Sequence, residues 1–171
     1  GKTIYGKNFT SDPDGYGSDG HGHGSHVASI IAGDRDAAGI RGVAYDATLY
    51  DYRIGNDSGT LTGTGSDSKE ASLYNQHVTD NIRVSNNSWG YSHLANTYSE
   101  TTLRAWRPNT ITAMRSAQQN GTVFVFAAGN NGCGPGLGCS QVTLLGGLPY
   151  RITELANEWL TVVAVDPDLK E

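Results

Sequence analysis

An α/β fold with a parallel, doubly wound sheet flanked by helices is predicted by three features of this sequence. Short apolar runs alternate with helical patterns along the chain, the order that builds parallel strands joined by helical crossovers. Residues 122–128 read Thr-Val-Phe-Val-Phe-Ala-Ala, a continuous apolar run that fits a strand buried on both faces of such a sheet. The composition combines 23 glycines with only 17% charged residues, as in α/β chains with many tight turns. A length of 171 residues suits a single domain, residues 1–171, with a real core.

Taken in order, residues 3–5 form a short strand, and residues 11–20 are an Asp/Gly/Ser/Pro loop. Asp12, Asp14 and Asp19 in that loop are candidate calcium ligands. Their spacing lacks the closing Glu of an EF-hand, so a solvated acidic loop is the plainer reading and calcium is left unassigned. A helix with Ser25 at its start buries Val27, Ala28, Ile30 and Ile31 at i, i+3, i+4 spacing. A surface turn at 33–39 precedes a strand over 47–54. Residues 68–81 read as a weakly patterned helix with Ala71, Leu73, Tyr74 and Val78 as its apolar positions. The next strand is 82–88, ending at Trp89-Gly90, and 91–108 is a polar insertion carrying Trp106. A helix over 109–120 places Ile111, Met114, Ala117 and Gln118 on one face, with Gly121 after its end. The apolar strand 122–128 stops at a tight turn, Gly129-Asn130-Asn131-Gly132. A loop to about residue 156 leads to a last strand, 159–165. In parallel sheets ligands bind beyond the carboxyl ends of the strands, which is where Ser88-Trp89-Gly90 and Gly129-Asn130 fall.

The densest chemistry lies in residues 19–33, where His21, His23 and His26 sit between glycines just ahead of an apolar helical run. Three readings compete. One is a solvated Gly/His loop. Another is a zinc site, since His-x-His-x-x-His is the ligand spacing of metallo-β-lactamase-like hydrolases. There an Asp usually precedes the last His, and here Ser25 stands in that place. The third is a catalytic histidine held at the start of a helix, with small neighbours that leave its ring accessible. In that case His26, one helical turn on, is a buried, hydrogen-bonded core histidine, and His21 is exposed.

A net charge of -5 argues against a nucleic-acid partner, which normally needs a basic face. No run of 18 apolar residues is present, so no membrane span is expected. Cys133 and Cys139 flank Gly-Pro-Gly-Leu-Gly. They could close a small disulfide loop, which would suit an oxidising compartment, or remain two free thiols on a surface loop.

With these pieces in order the chain resembles a subtilisin-like serine protease over nearly its whole length. Residues 23–29, His-Gly-Ser-His-Val-Ala-Ser, look like that family's His-Gly-Thr-His-Val-Ala-Gly. Residues 42–49 look like its Gly-Val-Ala-Pro-x-Ala-x-Leu, residues 84–90 like its Val-Ile-Asn-x-Ser-Leu-Gly, and residues 126–132 like its Ala-Ala-Gly-Asn-x-Gly element. Trp89, the cysteine pair and the acidic composition look most like the passenger proteases of bacterial autotransporters. The resemblance implies His23 as general base and Asn130 as oxyanion donor, because a serine hydroxyl needs a neutral imidazole to take its proton and the tetrahedral intermediate needs a preset donor. It implies Ser88, Trp89, Gly90 and Gly129 as substrate-binding residues for an extended polypeptide, with no cofactor. The family's Asp-[Ser/Thr]-Gly and Gly-Thr-Ser-x-Ala motifs do not occur in these 171 residues. The expectation is therefore the central part of a secreted or cell-surface protease domain, inactive alone, partnered by the remainder of that domain, with an open sheet edge that favours dimerisation. Against it stands a non-catalytic, protease-like binding module.

Overall fold

The computed structural model describes residues 3–36, 39–130 and 142–164. The chain divides into two compact units, residues 1–73 and 74–171. Among the described residues the strands form two sheets whose pairings are parallel, as the alternation of strand and helix predicts, and two isolated bridges, Gly55–Leu61 and Leu94–Thr143, are antiparallel.

In the first unit β1 (Ile4–Asn8) pairs with β2 (Leu49–Arg53), Ile4 opposite Leu49 and Asn8 opposite Arg53. Tyr5 stacks on Tyr50 across this pair, ring centroids 5.4 Å apart. Arg53 is buried, and its guanidinium holds Asp12 at 2.8 Å and Asp57 at 2.9 Å. A buried cation needs such partners, because desolvation without them costs several kcal/mol. One side chain thereby ties two loops to the end of β2.

Between the strands lies α1 (His23–Ala32). It starts two residues before the expected Ser25 cap, and its apolar positions are less buried than the spacing suggests. Ala32 is its single buried residue; Val27, Ala28 and Ile31 are half-buried and Ile30 is exposed. Among the described residues its own unit has one two-stranded sheet, β1–β2. The C-terminal turn of α1 is held by backbone bonds, Val43 N to Ile30 O at 3.1 Å and Ala44 N to Ile31 O at 2.7 Å.

The helix α2 (Asp67–Thr79) matches the expected 68–81, but its buried face is turned. Ala71, Leu73 and Tyr74 are buried as expected, Val78 is exposed, and Glu70 and His77 are buried instead. His77 is one turn past Tyr74 and meets Phe124 at 5.9 Å and Ser85 Oγ at 2.8 Å, contacts that a side chain at 78 would miss.

The second unit is built on β4 (Val123–Ala127), which lies between β3 (Val84–Asn87) and β5 (Trp159–Val162). Phe124 and Phe126 point into the core. Phe126 stacks on Trp159 at 4.5 Å, and Phe124 meets Tyr74 edge-on at 5.4 Å. The opposite face is not closed over as the apolar run suggests. Val123, Val125 and Ala127 are half-buried, and on the flanking strands Val84, Leu160 and Val162 are 63%, 56% and 54% exposed. The expected polar insertion contains a helix, α3 (Glu100–Trp106), whose start is capped by Ser99 Oγ accepting from Thr102 N at 3.1 Å. Then comes α4 (Pro108–Gln119), where Ile111, Met114, Ala117 and Gln118 are all buried as expected. Two short 3-10 turns, Leu148–Tyr150 and Thr153–Leu155, occupy the expected loop. Arg104 of α3 grips Glu154 through two bonds of 2.7 Å.

Truncating the best-packed ring tests this core. Phe126→Ala is expected to lower stability by about 3–5 kcal/mol, read as a shift of the urea midpoint followed by tryptophan fluorescence.

Candidate active site

His23 opens α1, following Gly22 in a left-handed conformation at φ +87°. That conformation favours glycine, since a Cβ there is strained. The start of the helix is stabilised from outside it. Asp19 Oδ1 accepts from Gly22 N at 2.8 Å, and Asp19 Oδ2 accepts from Ser25 N at 2.6 Å. Ser25 is thus a capped residue, not the cap. Burial works to raise the Asp19 pKa, but hydrogen bonds from the backbone and hydroxyl of Ser25 and from the backbone of Gly22 and His21 outweigh it, and the carboxyl lies below its ordinary value. The loop ahead is seated by Gly20 N on Asp57 Oδ1 at 3.3 Å.

The rings of His21, His23 and His26 are exposed. His21 is exposed as expected, whereas His26, expected as a buried core histidine, is exposed among the described residues. The centroids of His21 and His23 are 6.3 Å apart. Among the described residues no three of His, Cys, Asp or Glu gather to hold a metal. The zinc set is therefore not assembled. In the acidic loop Asp12 is committed to Arg53 and Asp19 to the start of α1.

His23 belongs to the first unit and the other candidates to the second. Asn87 pairs opposite Phe126, so β3 and β4 end side by side, and Ser88, Trp89, Gly90, Gly129 and Asn130 come together at that end. Gly129 has φ +111°, and a Cβ there would lie 2.3 Å from Thr143 Cγ2. Conformation and space both demand glycine. Thr143 is fixed in turn by its N–H on Ala128 O at 2.8 Å. Asn130 follows, exposed, just past the central strand. Ser88 Oγ accepts from Asn86 Nδ2 at 3.0 Å. Trp89 is half-buried, edge-on to Tyr91 at 6.0 Å, with its Nε1 donating to Asn87 Oδ1 at 3.1 Å. The cysteine pair, Asn131 and Gly132 lie outside the described residues.

Three residues of this arrangement escape sequence reasoning. Asp19 is legible as an Asp ahead of the helix, but three residues early for a usual cap. Asn87 carries a signal in a strand whose inward positions are polar. Thr143 carries none, because it acts across the sheet end.

Asp19→Ala should cost about 0.5–2 kcal/mol, the range for a lost helix cap, and fray the first turn of α1. The Asp19 pKa is depressed below 3.8, so its contribution is fully present above that value and is lost as pH falls through the lowered one. The amide signals of Gly22 and Ser25 should titrate together, with a midpoint below that of an exposed aspartate. Gly129→Ala should destabilise the second unit by about 1–3 kcal/mol through strain and overpacking, checked by thermal unfolding.

Residues 3–170 match the profile of the Subtilase family. Subtilisin DY of Bacillus licheniformis is 32% identical over 131 residues, which cover 77% of this chain and 42% of that protein. The extracellular serine protease of Serratia marcescens is 40% identical over 68 residues, 40% of this chain and 6% of that one. Among solved structures, Sphericase aligns at TM-score 0.60 with 26% identity over 93% of this chain and 46% of its own. The protease domain of PatA aligns at TM-score 0.69 with 24% identity, 98% and 52% covered, a likeness of fold. The chain spans less than half the length of these two relatives and about half that of the two solved structures. With a family match from residue 3 to residue 170, the chain belongs to the subtilase family of serine proteases.

Proposed function

We propose that residues 1–171 are the central part of a single subtilase peptidase domain that hydrolyses peptide bonds through an acyl-enzyme. In this reading the neutral imidazole of His23 takes the proton of a serine supplied by another part of the domain and returns it to the leaving amine. The Asn130 amide donates to the oxyanion. An extended peptide pairs with the backbone of Ser88, Trp89, Gly90 and Gly129. The proposed chemistry uses no cofactor, and these residues alone are inactive. The observation that carries the reading is the exposed Asn130 after the left-handed Gly129, at the strand end that the β3–β4 register sets beside Ser88-Trp89-Gly90.

The exposed Val84, Leu160 and Val162 face is read as the surface that the remainder of the domain covers, or a second copy when that is missing. The identity to an extracellular enzyme supports a place outside the cell or at its surface. A relation to autotransporter passengers rests on Trp89, the cysteine pair and the acidic composition.

Fluorophosphonate labelling of the longest natural form tests this proposal. Labelling should occur there, be absent from residues 1–171, and vanish with His23→Ala. Asn130→Ala should lower kcat by about a hundred- to a thousandfold. Labelling that survives His23→Ala would remove the assignment of the base.

A further inference from the structure

Behind the candidate peptide site runs a buried chain of hydrogen bonds that the proposed chemistry does not use. Ser85 and Asn87 face inward from β3, and both are buried, as is His77 on α2. Trp89 Nε1 meets Asn87 Oδ1 at 3.1 Å. Asn87 Nδ2 meets Ser85 O and Ser85 Oγ, each at 2.9 Å. Ser85 Oγ meets His77 Nε2 at 2.8 Å.

The direction of the chain is set first at its outer end, Trp89. An indole nitrogen can only donate, so the atom it meets is the Asn87 oxygen. The Asn87 amide nitrogen therefore faces Ser85 and donates both of its protons there. Ser85 Oγ accepts one of them, which leaves its own proton to be donated onward. The remaining partner is His77 Nε2 at 2.8 Å; the arrangement that places the buried hydroxyl proton has Ser85 Oγ donating to it, and in that arrangement Nε2 accepts and carries no proton. His77 is then neutral, protonated at Nδ1.

We infer that Asn87 is the positioning residue for Trp89, and that Ser85 and a neutral, Nδ1-protonated His77 lock Asn87 in the orientation that receives the indole. This rests on the reading of Trp89 as a wall of the peptide site, and it adds what sets that wall. An unanchored Asn87 could turn its amide over and present a second donor to the indole. The resembled strand, Val-Ile-Asn-x-Ser-Leu-Gly, has isoleucine in the place of Ser85, a side chain with no hydroxyl to offer such a relay.

The longest natural form that contains these residues, labelled with 15N at histidine and at the tryptophan indole, tests the inference directly. In the unmodified protein at neutral pH, His77 should show a protonated Nδ1 and an unprotonated Nε2. The Trp89 indole proton, assigned by its loss in Trp89→Phe, should move in Asn87→Leu and exchange with solvent about three- to tenfold faster. The Trp106 and Trp159 signals should stay in place as reporters of folding. His77→Gln keeps an acceptor for Ser85 and should preserve the Trp89 signal, whereas His77→Leu should shift it. A His77 protonated at Nε2, or a Trp89 signal indifferent to Asn87→Leu, would overturn the inference. The tautomer is read without any variant, so it decides the matter even if a substitution fails to fold. Adding an unlabelled extended peptide separates the two readings. An intact relay with no peptide response counts against the proposed function, not against the relay.

Discussion

Parallel pairing of β3 with β4 is the constraint on which the candidate peptide site depends. Parallel strands end on the same side, so the register that sets Asn87 opposite Phe126 also delivers residues 88–90 and 129–130 to one edge. The register is held from below by aromatic packing. Phe124 and Phe126 alternate inward, and Trp159 on β5 stacks on the second of them. A slip of one residue would carry both rings to the opposite face. Burial of the rings and alignment of the strand ends are therefore the same event.

In the first unit the equivalent constraint is electrostatic. The Arg53 guanidinium gathers Asp12 and Asp57, Asp57 receives the N–H of Gly20, and the neighbouring Asp19 receives two N–H groups at the start of α1. Each step holds a piece of loop through a polar contact. The ring of His23 stays accessible because polar contacts, not burial, fix its backbone. A carboxylate near a helix N-terminus is also favoured by the helix dipole, which agrees with the depressed pKa of Asp19.

Much of the fold was legible because it rests on local pattern. Residues 122–128 are apolar enough to announce a strand, and Ile111, Met114, Ala117 and Gln118 share the helical face that the structure buries. Patterns failed where a partner distant in sequence decided the outcome. His77 outcompetes Val78 for the buried position because Ser85 and Phe124 wait there. The helix α3 hides in a polar segment, since its start depends on Ser99 and its exposed side on Glu100 and Arg104 rather than on an apolar stripe. At the candidate site, Gly129 and Asn130 could be read from their motif. Thr143, which makes glycine obligatory at 129, could not.

The inward face of β3 shows what such distant partners are worth. Two polar side chains, Ser85 and Asn87, occupy positions that apolar residues would fill at lower risk, since a buried polar group left without a partner costs about 1–3 kcal/mol. Each has its partners in place, and an indole that can only donate fixes the direction of the bonds through Asn87 to Ser85. Apolar substitutes could hold the strand, but they offer no acceptor to an indole nitrogen. A tryptophan packed only by van der Waals contact keeps several ring orientations within thermal reach; one bound through Nε1 keeps few. The polar inward face thus exchanges some core stability for a defined Trp89, at the sheet end where the neighbouring residues meet an extended peptide in the proposed reading.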